Sequence, residues 1–121
     1  MKQLLIAFAL LVTAMSVTAD DINPVGTYAY TGTDPDGTAY QGTVTVTKQH
    51  DQYGVSYKET SDAGVYTGVG LVGDEEFVVA AVAEGKNSIS VLTPDKKGGF
   101  TAVWAWEGAK GLGKETWTPK K

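Results

Sequence analysis

From residue 26 onward, apolar and polar side chains alternate singly. Val44 and Val46 stand between Thr43, Thr45 and Thr47. Tyr28 and Tyr30 share a face, as do Val55 and Tyr57. Val65, Val69 and Leu71 face one way, with Tyr66, Gly68 and Gly70 the other. Ile89 and Val91 oppose Ser88 and Ser90, while Phe100, Ala102, Trp104 and Trp106 lie together. A period of two is the signature of a pleated strand with one buried face. Residues 77–82 are apolar on both faces, which predicts a strand covered on both sides. Thr, Val and Tyr dominate this part of the chain, and these residues suit strands.

Turn signals recur every eight to twelve residues and divide the chain into eight predicted strands. They are Gly26–Thr31, Ala39–Lys48, Tyr53–Thr60, Val65–Val72, Glu75–Ala83, Asn87–Thr93, Gly99–Trp106 and Lys114–Thr118. Asp34-Pro35-Asp36-Gly37, the His50-Asp51-Gln52 corner, Ser61-Asp62-Ala63-Gly64, Glu84-Gly85-Lys86 and Asp95-Lys96-Lys97-Gly98 supply connections. Gly73-Asp74 reads as a two-residue hairpin turn. Such short links join antiparallel neighbours, because parallel crossovers need a dozen or more residues. A meander of eight strands removes its exposed edges by closing. The expected fold is therefore all-β, an eight-stranded antiparallel up-and-down β-barrel, with a two-sheet β-sandwich as the alternative.

The start of the chain follows a different rule. Lys2 precedes an apolar run from Leu4 to Val12, and Val17-Thr18-Ala19 places small residues before Asp20 and Asp21. This is the layout of a secretory signal peptide over residues 1–19. The apolar run is shorter than the about 20 residues of a membrane span. The expectation is a cleaved, bacterial-type signal, a single β-barrel domain over residues 20–121, and a periplasmic or secreted location.

Composition narrows the chemistry. The chain has 121 residues, 10 Lys+Arg against 14 Asp+Glu, a formal net charge of −4, one His and no Cys. Without Cys there is no disulfide, thiolate zinc site or cysteine nucleophile. All ten basic residues are Lys, and bidentate reading of phosphates and guanine edges is Arg work, so nucleic acid is an unsuitable partner. The acidic balance also disfavours anionic membrane surfaces.

The glycines and aromatics carry a family resemblance. Gly26-Thr27-Tyr28 opens the first strand, Tyr40-Gln41-Gly42-Thr43-Val44 follows a Pro-Asp-Gly turn, and Tyr66-Thr67-Gly68-Val69-Gly70-Leu71 forms the fourth. Gly99-Phe100-Thr101, Trp104 and Gly111-Leu112-Gly113-Lys114-Glu115 close the string. The sequence resembles a family of small exported bacterial β-proteins, mostly uncharacterised, some labelled fibronectin-binding. More distantly, it is similar to the calycin group of lipocalins and avidins. The resemblance implies a calycin-like barrel. No polar constellation matches a biotin or retinoid site residue by residue.

Catalytic patterns are sparse. His50 sits beside Asp51 in a predicted turn, and no Ser occupies a Gly-x-Ser-x-Gly elbow, which leaves no serine triad. One imidazole cannot build a zinc site. Asp34-Pro35-Asp36-Gly37 offers too few carboxylates for a calcium loop and reads as a turn. No cofactor or metal is implied. Glu59, Glu107 and Glu115 are the candidate carboxylates for a hydrolase, with Glu107 and Glu115 facing each other across the last hairpin.

What remains is binding. Eight-stranded barrels either fill their interior or hold one small ligand. The candidate ligand contacts are Tyr28, Tyr57, Trp104, Trp106 and Trp117, with Gly68 and Gly70 opening room. Trp104 and Trp106 form the expected lining pair, with Trp117 meeting them from the next strand. Strand glycines also permit a ring to lie across them or a barrel to coil sharply. The expected function is a non-catalytic binding module for a small apolar or aromatic ligand, or for a protein docking on the Asp34–Gly37 and Glu107–Gly113 loops. A Glu/Asp hydrolase and an envelope scaffold without a small ligand are the alternatives.

Overall fold

A computed structural model describes residues 22–61 and 64–121. The signal peptide expected over residues 1–19, and residues 62 and 63 of the expected third connection, lie outside the described residues. Eight strands follow one another: β1 Gly26–Thr33, β2 Ala39–Gln49, β3 Gln52–Glu59, β4 Val65–Val72, β5 Phe77–Ala83, β6 Lys86–Pro94, β7 Phe100–Trp106 and β8 Gly113–Pro119. Each pairs antiparallel with the next, and β1 pairs with β8, so the sheet is a closed up-and-down barrel. Closure brings Tyr30 opposite Trp117 and Thr33 opposite Lys114. Among the described residues no edge strand is left open, which resolves the barrel against the sandwich.

The turns obey their residue chemistry. Glu84 and Gly85 both hold positive φ, 55° and 77°, between the paired Ala83 and Lys86. This is the backbone of a two-residue hairpin whose twist matches its strands. At Asp95, one carboxylate oxygen accepts from the amides of Lys97 and Gly99. The connection expected at Gly73-Asp74 is longer. Val72 pairs with Phe77, and the Gly73 amide donates to the Glu76 carbonyl, so four residues make the loop. Glu75 and Glu76, read as strand, belong to it.

The interior has two levels. At one end Tyr28, Val44, Val46, Val55, Phe77, Val79, Leu92, Phe100 and Trp117 form a packed plug. Trp117 has no exposed surface, and its ring meets those of Tyr28, Tyr57, Phe77 and Phe100 at 5.3 to 6.4 Å. Buried Pro24 caps this end, where its carbonyl accepts from the Tyr28 hydroxyl at 2.8 Å. Edge-on and tilted ring pairs add about 0.5–1.5 kcal/mol each beyond the apolar area they bury.

The outside is polar over β1, β2 and β3 but apolar over β4 to β7. Two cross-strand rows run there, Leu71–Val78–Val91–Val103 and Val69–Ala80–Ile89–Ala105. Leu71, Val91, Val103, Val69 and Ile89 are exposed. The double cover expected for residues 77–82 is therefore not found among the described residues. Ala80 and Val82 point outward and are exposed.

Candidate functional site

At the other end the inward-facing side chains change character along the strands. β5 descends in size from Phe77 and Val79 to Ala81 and Ala83, and β6 from Leu92 to Ser90 and Ser88. Opposite them, β1, β2, β3 and β7 keep large rings. Small side chains facing large ones leave space that the plug level does not have. The result is a cup of about 270 Å3 entered from the β1–β2, β5–β6 and β7–β8 loop end.

The rings form a connected wall. Tyr57, Tyr30, Tyr40, Trp104 and Trp106 touch in sequence, with centroid separations of 5.8, 6.0, 6.3 and 6.0 Å. Three of them depend on glycine seats. A Cβ on Gly32 would strike the Tyr40 hydroxyl, one on Gly42 the Tyr30 hydroxyl, and one on Gly113 the Trp104 indole. Each ring therefore reaches over a neighbouring strand at its glycine, as strand glycines permit.

Glu115 lies at the floor, between cup and plug, and is 9% exposed. One of its oxygens accepts from the Tyr40 hydroxyl at 2.8 Å, and the other from Trp117 Nε1 at 2.6 Å. Tyr40 accepts in turn from Trp104 Nε1 at 2.8 Å. A chain of donors thus runs from the wall to the floor. Burial raises the Glu115 carboxyl above its ordinary value; the Trp117 and Tyr40 hydrogen bonds oppose this, and the charge of Glu59 adds to it. Burial also raises the phenols of Tyr40, Tyr30 and Tyr57, with Glu115 contributing to each. All three remain neutral hydrogen-bonding groups at physiological pH.

The mouth carries Asp34, Glu59, Glu84 and Lys86. Partial burial and the neighbouring Asp36 raise the Asp34 carboxyl. Asp36 itself is a turn residue whose carboxylate accepts from the Thr38 amide, which lowers it.

The structure sorts the residues named from sequence. Tyr57, Trp104 and Trp106 line the cup. Tyr28 and Trp117 do not; they belong to the plug, and Trp117 reaches the cup through its hydrogen bond to Glu115. Trp117 stands opposite Phe100 in the register, and Gly113 stands opposite Trp104, so Trp117 does not join the Trp104–Trp106 pair. Gly70 seats the Phe77 ring, and a Cβ on Gly68 would press on the Ala80 carbonyl, so both glycines serve packing. Among the candidate carboxylates, Glu59 and Glu115 enter the cup. Glu107 is exposed on the rim and accepts from the Asn87 amide, so it does not face Glu115. Sequence reasoning missed Tyr30, Tyr40, Ser88 and Ser90 as lining residues. The available signal was the shrinking of inward side chains along β5 and β6. Comparison with protein-family models and with curated proteins returns no match.

Proposed function

We propose that the protein is an exported, non-catalytic binding module that holds one small molecule with an apolar or aromatic body in the cup. The observation that carries this reading is the cavity of about 270 Å3, walled by connected rings and closed beneath by a packed plug. A concave, largely aromatic pocket with a few placed polar groups suits small-ligand recognition. Location in the periplasm or outside the cell is part of the proposal and rests on the first nineteen residues.

Titration of a library of small aromatic and aliphatic compounds against indole fluorescence tests it. The expected outcome is an emission shift with some members, reduced by Trp106→Phe. No response from any member, together with a solvent-free filled interior, overturns the reading.

One observation favours a second reading. Glu59 and Glu115 line the same cup, and the charge of Glu59 acts on Glu115. A hydrolase built on this pair would show activity that survives metal chelation and disappears in Glu115→Gln.

A further inference from the structure

We infer that the cup selects a small organic cation, an amine or ammonium group carried on a compact apolar body. The inference rests on the ligand-binding reading above and adds the charge of the ligand. Four carboxyl groups line the cup, Asp34, Glu59, Glu84 and Glu115, against one ammonium group, Lys86. Three of these carboxyls stand at the mouth and Glu115 at the floor, so a bound group lies between carboxyls at both ends of the cup. In a narrow, low-dielectric cleft their field is focused rather than screened.

The floor adds a second argument. Neutral donors hold Glu115, an indole N–H and a phenol O–H. Each donor engages a different oxygen, which leaves acceptor capacity on both. The buried carboxylate carries a desolvation cost, which a cation seated above it offsets. Trp and Tyr rings line the cup, and a cation over the face of such a ring binds more strongly than a neutral group. Ser88 and Ser90 give further oxygen acceptors opposite the rings. An anion would meet carboxyl groups at the mouth and the floor, and a neutral ring would use the walls alone. The volume equals about nine waters at roughly 30 Å3 each, enough for one ring with a short side chain.

Three probes of nearly equal size separate these cases: benzylammonium, benzyl alcohol and benzoate, titrated calorimetrically into the whole protein at low salt. The expected result is that benzylammonium binds roughly tenfold or more tightly than benzyl alcohol, with benzoate weakest. Glu59→Gln, and separately Glu84→Gln on the exposed rim, should each reduce benzylammonium affinity several-fold more than benzyl alcohol affinity, with melting temperatures confirming that both variants are folded. Equal binding of benzylammonium and benzyl alcohol overturns cation selection while leaving the ligand-binding reading intact. So does tighter binding of benzoate. If all three fail to bind at tens of millimolar, selection and the binding reading fall together.

Discussion

Glu115 is the residue on which the interior turns. Its two oxygens join a polar cup to an apolar plug through Tyr40 and Trp117. Burial holds its carboxyl above the ordinary 4.5, so folding disfavours the ionised form. The stability it contributes is complete below about pH 4.5 and is lost as pH rises through the folded-state value. The groups facing it are Tyr40 from β2, Tyr30 from β1, Tyr57 and Glu59 from β3, and Trp117 on its own strand. Glu115→Gln removes this titration. The melting temperature of the native protein minus that of Glu115→Gln should therefore fall as pH rises above about 4.5. A difference that is flat or rises with pH contradicts the assignment. Gly113 offers a second test at this scale. A methyl group there would displace the Trp104 indole, and overpacking of this kind costs about 1–3 kcal/mol. Gly113→Ala should lower stability by that amount in urea titration and disturb Trp fluorescence; a loss below about 0.5 kcal/mol would show that the ring is not seated there.

β6 shows how an element can be read in two ways. Its more apolar face, Ile89 and Val91, turns outward, and its serines turn inward. Period two alone locates the strand without choosing the face. The choice is made by the ends of the strand and its partners: Leu92 stands opposite Phe77 and Ala102, and all three are buried. Once Leu92 is inside, Ser90 and Ser88 must be inside too. Adjacent positions should then respond very differently. Leu92→Ala is expected to cost about 2–5 kcal/mol, because Leu92 has no exposed surface. Val91→Thr, at 43% exposure, should stay within about 0.5 kcal/mol. Chemical denaturation of the two variants decides it, and similar losses would mean that the register is wrong. The eight strands were legible from alternation and turn residues, with ends shifted by one or two positions. The Gly73–Glu76 loop was misread because Gly-Asp is a strong hairpin signal, whereas pairing Val72 with Phe77 keeps both inward and needs four residues between them.

For the whole molecule, closure between β1 and β8 is decisive. It places Trp117 among four other rings and delivers Glu115 to Tyr40, 75 positions away in sequence. Deleting residues 113–121 removes the partner of both β1 and β7 and opens the plug. The shortened chain should show no cooperative thermal transition, and a sharp native-like transition would contradict the role given to closure. Ligand binding acts on the same global equilibrium. A compound that binds only the folded cup should stabilise it by about 2.7 kcal/mol at a hundred times its Kd, read as a concentration-dependent rise in Tm.

Alternation and turn chemistry determined that this chain makes eight sequential antiparallel strands, and they left closure into a barrel or packing as a sandwich open. Those features act locally, over two to five residues, and so are written directly in residue order. Which carboxylates share a cavity, whether Trp117 lies in the cup or beneath it, and where the interior is empty were decided only by tertiary structure. These depend on the level each inward residue reaches around the barrel. That level is set by register and closure between strands distant in sequence, and no local pattern carries it.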